Sequence, residues 1–240
     1  MRAEPAAVLW DFDGTLIDTE PLWSGTQQDI MAERGLAFTP EQLEAMHGQS
    51  AWLGAEMIAA RFGEPGRVRE IYDDIHARIA GHIRANDLPW LPGAQRLLAE
   101  LDANEVPCAI VTASNQQIID AAVERLPGNV RFIVTSDDVL HTKPHPEPYL
   151  MAAARLGIDP SDAIVLEDSV PGTSSGLAAG AVVYAVPTLA HLQPQPRMTI
   201  SSTGLRETTW AELCEVWREH ESVRREDRPA AGGGAGDAHR

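Results

Sequence analysis

Asp11 and Asp13 stand one residue apart, directly behind the apolar run Ala6-Ala7-Val8-Leu9-Trp10 and ahead of Gly14-Thr15. An apolar run of that length closed by a Gly turn reads as a buried parallel strand. Side chains at i and i+2 of extended backbone point the same way, so the two carboxylates converge beyond the strand end. Carboxylates that close repel unless a cation lies between them or one takes up a proton. The alternative is a solvated turn with Asp at capping positions.

Three further segments bear on that choice. Ala163-Ile164-Val165-Leu166-Glu167-Asp168 is another apolar run ending in an acidic pair. Cys108-Ala109-Ile110-Val111 ends in Thr112-Ala113-Ser114-Asn115, hydroxyl and amide groups that would otherwise cap a helix. Between these two runs lies Lys143, the only lysine in the chain. An ammonium and a guanidinium are not interchangeable where a point charge must reach a phosphoryl oxygen or a carboxylate, so a single Lys among Arg points to a site. Carboxylates, hydroxyls and one ammonium thus gather at carboxyl ends of strands, the edge at which an open parallel sheet binds ligands.

The elements that must position them alternate. Strands are expected near 6–11, 107–112, 130–135, 163–167 and 181–186, and helices near 92–104, 116–126, 146–156 and 173–179, the order of an α/β sandwich. Residues 18–88 break the alternation and read as amphipathic helices over 21–34, 50–61 and 67–85. Pro89, Pro92 and Gly93 mark the return, and the two connecting segments are expected to be hinges. Residues 187–205 read as an irregular connection, and Thr208–Glu219 as a last helix capped by Thr208 or Thr209. From Arg224 onward the chain cannot bury a core and reads as disordered.

A chain of 240 residues that is 44% hydrophobic can build a full core with a modest insertion. Its formal charge of −16 opposes polyanion binding and requires a cation and Lys143 to offset the carboxylates before a small anion enters. No apolar stretch approaches a membrane span and the N-terminus lacks a signal-peptide layout, so a cytoplasmic protein is expected. Cys108 and Cys214 read as packing residues.

Asp11-Phe12-Asp13-Gly14-Thr15, the Thr112 strand end, Lys143-Pro144 and Glu167-Asp168 resemble, in order, the four motifs of the haloacid dehalogenase superfamily. The resemblance runs from about residue 6 to about residue 187. Residues 11–23 look most like the branch containing 2-deoxyglucose-6-phosphate and hexitol phosphatases and β-phosphoglucomutases. It implies a Rossmann-like three-layer sandwich with a parallel sheet: residues 1–17 and 89–222 as core, 18–88 as a helical cap inserted after the first strand, and 223–240 as a disordered tail.

The resemblance also implies roles. Asp11 is the nucleophile, forming an aspartyl-phosphate, and Asp13 protonates the leaving alcohol and then activates water. Thr112 and the backbone amides of Phe12 and Ala113 hold the transferring oxygens, and Lys143 neutralises Asp11 and the phosphoryl group. Mg²⁺ is expected on the Asp11 carboxylate, the Asp13 backbone carbonyl and Asp168, with Glu167 direct or through water. Glu20, Trp23, His47, Gln49 and Trp52 are the cap residues expected to meet the substrate, a small phosphorylated sugar or polyol taken by a monomeric enzyme. Trp23 stands where the mutases carry a His, and Ala51 where they carry an Arg for a second phosphate, which favours a phosphatase over a mutase. Schiff-base chemistry would need a cap lysine, absent here. Dehalogenation would leave Asp13 and the Glu167-Asp168 pair unexplained. A silent binding protein on this fold would be expected to lose Asp11, Asp13 or Lys143, and all three are present.

Overall fold

The computed structural model describes residues 2–46, 51–187 and 191–220. His47 and Gln49 lie outside these residues, as does the segment expected to form a disordered tail. Six parallel strands form one sheet in the order β3-β2-β1-β4-β5-β6: β1 (Ala7–Trp10), β2 (Cys108–Val111), β3 (Val130–Val134), β4 (Ala163–Glu167), β5 (Val182–Ala185) and β6 (Met198–Ile200). β1 is central, pairing Leu9 with Ala109 on one side and with Val165 on the other.

Every residue of β1, β2, β4 and β5 is buried, because helices cover both faces of the sheet. Alternation along the strands sorts their side chains. Val8, Trp10, Ile110 and Leu166 face α5 (Ala94–Ala103), α6 (Gln116–Ala122) and α9 (Trp210–Glu219). Leu9, Val111 and Val165 face α7 (Glu147–Leu156), through Tyr149 and Ala152. α8 (Val170–Ala178) packs on β4 and β5.

Between β1 and β2 the chain forms α1 (Glu20–Ala32), α2 (Pro40–Met46), α3 (Ala51–Phe62) and α4 (Val68–Ala85). Ile71, Ile75, Ile79 and Ile83 recur every fourth residue and give α4 one buried stripe. α4 packs on α3 and on α6, and Arg125 donates to the carbonyls of Ile83 and Asn86 at its C-terminal end, 2.6 Å each. That guanidinium satisfies carbonyls that the helix itself leaves open. The outgoing and returning segments lie side by side: Ile17 bridges Trp90, and Leu91 N–H donates to the Leu16 carbonyl at 2.9 Å.

The expected strands and most helices are present; α2 has no counterpart among the helices expected, and two further elements differ. Residues 187–205 are not wholly irregular: Met198–Ile200 adds β6, pairing Val183 with Met198. Three residues at a sheet edge are too few to show alternation. The helix expected over 173–179 starts at Val170, where Pro171 suits a first turn and the Ser169 hydroxyl accepts from Gly172 N–H at 3.1 Å. Thr209 caps α9. Among the described residues no helix is long and apolar enough to cross a membrane.

Candidate active site

Asp11 follows β1 directly, its N–H still bonded to the Leu166 carbonyl at 3.0 Å, which aims the carboxylate off the carboxyl edge of the sheet. Lys143 reaches it from the segment before α7. Its Nζ lies 2.6 Å from Asp11 Oδ1, 2.6 Å from Glu167 Oε1 and 2.7 Å from the Val111 carbonyl, so all three ammonium protons are placed. The Lys143 side chain is 4% exposed and that of Glu167 is fully buried. Burial opposes the ammonium, but Asp11 and Glu167 more than offset it and hold Lys143 above its ordinary range.

Asp11 is pushed the other way. Burial raises its pKa well above the usual carboxylate range; Lys143 opposes this, while Glu167, Asp168 and Asp13 add to it. Four carboxylates around one ammonium leave local negative charge uncompensated. Among the described residues, Asp11, Glu167 and Asp168 each offer an oxygen close enough to share one ion.

Glu167 is held by the protein as well. Tyr149 Oη donates to Oε1 at 2.8 Å, and Ser169 Oγ and Asp168 N–H donate to Oε2 at 3.1 and 3.2 Å. Gly172 makes room for this arrangement, because a Cβ there would overlap the Glu167 carboxylate. Gly14, at φ +83°, clears the same space for Asp168 and adopts a left-handed turn that L side chains avoid.

Asp13 points away from that cluster. Its Oδ1 accepts from Thr19 Oγ1 at 2.7 Å and Trp23 Nε1 at 3.3 Å, and its Oδ2 from Ser114 Oγ at 2.7 Å and Thr112 Oγ1 at 3.0 Å. Thr112 is buried, and its hydroxyl also accepts from Ser114 N–H at 2.9 Å. Thr112 therefore faces Asp13 here. Asn115, not Ser114, caps α6.

A cavity of about 480 Å³ opens above these groups. Asp11, Asp13, Ala113, Lys143 and Asp168 line its floor, and Glu20, Trp23 and Trp52 line its cap side; Phe12, Thr112 and Glu167 stand behind the wall. An aromatic column runs down the cap: Trp52 to Tyr72 at 5.4 Å, Tyr72 to His76 at 4.1 Å, and His76 to Trp23 edge-on at 5.2 Å. His76 Nδ1 donates to the Tyr72 carbonyl at 2.8 Å, and burial holds the ring below its ordinary pKa. Gln27 is buried at the cavity edge, where Gly54 leaves it space: a Cβ there would come within 2.8 Å of Gln27 Nε2. Thr19, Gln27, His76, Ser114 and Tyr149 were not singled out by sequence as site residues. The i, i+2 pair Thr112 and Ser114 was the one available signal, since both project from the same side of a strand end.

The family profile for haloacid dehalogenase-like hydrolases matches residues 8–186. The chain belongs to that family. It is 33% identical over 203 residues to a bifunctional riboflavin kinase/FMN phosphatase of Arabidopsis thaliana, covering 82% of this chain and 53% of the relative, so the chain spans about half the length of that protein. It is 35% identical over 184 residues to hexitol phosphatase A of Escherichia coli, covering 74% of this chain and 81% of the relative. The fold matches that of β-phosphoglucomutase from Clostridium difficile with a TM-score of 0.74, 17% identity, and 91% and 99% of the two chains covered. At that identity the likeness speaks for the fold alone. This haloacid dehalogenase-like hydrolase is therefore an enzyme with the carboxyl edge of its sheet occupied by acidic, hydroxyl and ammonium groups.

Proposed function

We propose that the enzyme is a phosphoric monoester hydrolase that removes the phosphoryl group from a small phosphorylated sugar or polyol through a phospho-Asp11 intermediate. The observation that carries the reading is the distinct surroundings of two carboxylates with only Phe12 between them in sequence. Asp11 is paired with Lys143 and faces Asp168, whereas Asp13 is held apart by four hydrogen-bond donors. One is placed to attack and the other to move protons.

An oxygen-only donor set of Asp11 and Asp168, backed by Glu167, suits a hard divalent cation, and Mg²⁺ is the proposed cofactor, with the Asp13 carbonyl as a further ligand. When bound it supplies positive charge that keeps Asp11 ionised and offsets the phosphoryl dianion. Glu167, occupied by Lys143, Tyr149 and Ser169, orients Lys143 from behind.

Asp11 attacks phosphorus and the ester oxygen leaves with a proton from Asp13. Asp13 then takes a proton from water, which attacks the phosphoaspartate and frees phosphate. The Thr19, Thr112 and Ser114 hydroxyls can rotate between donor and acceptor, so Asp13 can exchange its proton without losing its place. The amide of Ala113 can donate to the transferring oxygens, and Lys143, its three protons held by Asp11, Glu167 and the Val111 carbonyl, offsets their charge from beside Asp11. Residues 18–88 close as a cap over the substrate, with the paired strands of chain at Ile17 and Trp90 as hinge. Glu20 and Gln27 offer hydrogen bonds to hydroxyls, and Trp23 and Trp52 a face for a ring. The likeness to hexitol phosphatase A supports this substrate class.

The test is phosphate release, with Mg²⁺, from a panel of sugar, polyol and nucleotide monophosphates. It includes β-glucose 1-phosphate with and without its 1,6-bisphosphate. Free phosphate from a hexose or polyol phosphate is expected. Bisphosphate-dependent glucose 6-phosphate with little free phosphate would make the enzyme a mutase.

A further inference from the structure

Apart from the acidic cluster, one other group of metal-ligating side chains comes together among the described residues: His141, His145 and Glu147. They sit on the solvent side of the segment that carries Lys143, with side chains 63%, 50% and 25% exposed. We propose that they form a second metal site, selective for a borderline ion of the Zn²⁺ class.

The geometry carries the proposal. His141 Nδ1 lies 2.9 Å and His145 Nδ1 3.9 Å from the same oxygen, Glu147 Oε2. Bonds of about 2.0–2.1 Å in a tetrahedron put neighbouring ligand atoms about 3.3 Å apart, between those two separations. The imidazoles already face each other, their centroids 4.6 Å apart. Glu147 is fixed in place because Leu140 N–H donates to Oε1 at 2.8 Å and His141 N–H to Oε2 at 3.0 Å. Two imidazole nitrogens thus lie within 3.9 Å of one anchored carboxylate oxygen.

The ion takes the position of the proton that His141 Nδ1 now shares with Oε2, and that proton leaves to solvent. The Glu147 N–H, which donates to His145 Nδ1 at 3.2 Å near the surface, passes to water. Two nitrogens and one oxygen leave a fourth position for water. Such a donor set favours Zn²⁺ over Mg²⁺, whereas the oxygen-only cluster around Asp11 has the opposite preference. Bound there, the ion joins positions 141, 145 and 147 into a ring around the backbone of Lys143.

The full chain, stripped of metal, is titrated calorimetrically with Zn²⁺ in excess Mg²⁺, beside His141→Asn, His145→Asn and the double variant. Wild type is expected to take up one more equivalent than the double variant. Each single replacement should weaken that binding by more than about tenfold, since losing even an outer partner of a ligand costs that much. Co²⁺ should give tetrahedral absorption bands in wild type that the double variant lacks, and Zn²⁺ should raise the melting temperature of wild type alone. Both imidazoles are exposed, so the variants keep the fold. Equal uptake and equal Co²⁺ spectra in wild type and double variant would overturn the site, whatever ester the enzyme hydrolyses.

Discussion

The indole Nε1 of Trp23 donates to Asp13 Oδ1 across 3.3 Å, so the first helix of the inserted segment touches the proposed proton-transfer group directly. Thr19, just before that helix, donates to the same oxygen. The proposed closure of the segment would therefore act on the alignment of Asp13. Trp23→Phe keeps the apolar contact with His76 and removes the donor. A hydrogen bond is worth about 0.5–1.5 kcal/mol, so kcat should fall by roughly two- to tenfold, with the melting temperature lowered by no more than a few degrees. Unchanged kcat on a saturating substrate would detach Trp23 from the reaction.

Lys143 meets three acceptors within 2.7 Å in a space only 4% open. A guanidinium is planar and wider, and cannot place one nitrogen against Asp11, Glu167 and the Val111 carbonyl together. Lys143→Arg should lower kcat by about a thousandfold, the scale of losing a preorganised charge donor. Asp11→Asn should abolish turnover and leave circular dichroism unaltered. Near-normal rates in either variant would remove that residue from the chemistry.

His76 gives a pH signature. Burial lowers its folded-state pKa from the ordinary 6.5, opposed by the Tyr72 carbonyl and by Asp13, Asp73 and Asp137. As pH falls the unfolded chain protonates first. The stability from neutral His76 is therefore complete above about pH 6.5 and is lost as pH drops through that value toward the lower folded pKa. The urea midpoint should fall between about pH 7.5 and about pH 5.5, and by less in His76→Gln. Parallel pH profiles for the two proteins would show that the imidazole does not titrate against folding.

Gly172→Ala tests the support beneath Lys143. A methyl group there overlaps the Glu167 carboxylate, which Lys143, Tyr149 and Ser169 already hold, so Glu167 must shift within a closed core. Overpacking of this kind costs about 1–3 kcal/mol, and here it also moves the ammonium off Asp11. Both the denaturation midpoint and kcat should drop, whereas Gly66→Ala, with open space around it, should leave kcat alone.

The strands and their functional ends were legible because each buried run stops at a polar residue: Trp10 before Asp11, Val111 before Thr112, Leu166 before Glu167. The amphipathic pattern over 67–85 disclosed α4, whose buried stripe is Ile71, Ile75, Ile79 and Ile83. What the sequence hid depends on contacts between distant segments. Tyr149 reads as an ordinary inward residue of α7, and only the fold sets its hydroxyl on Glu167. Thr112 reads as a ligand-facing hydroxyl, yet Asp13 and Ser114 occupy it. α2 and β6 are too short to carry a period.

Removing the metal should silence the enzyme for a reason visible in the protein alone. Asp11 is buried beside Glu167, Asp168 and Asp13, and Lys143 is the one ammonium among them, so without a further cation Asp11 is driven toward its protonated, non-nucleophilic form. Chelation by EDTA should abolish phosphate release, and Mg²⁺ should restore it. The same ion should raise the melting temperature, because it binds the folded cluster and not the unfolded chain, by about 2.7 kcal/mol of stability at a hundred times its Kd. Asp168→Asn should weaken both effects together. Turnover indifferent to chelation would leave the carboxylate excess unexplained and would require Asp11 to act by another route.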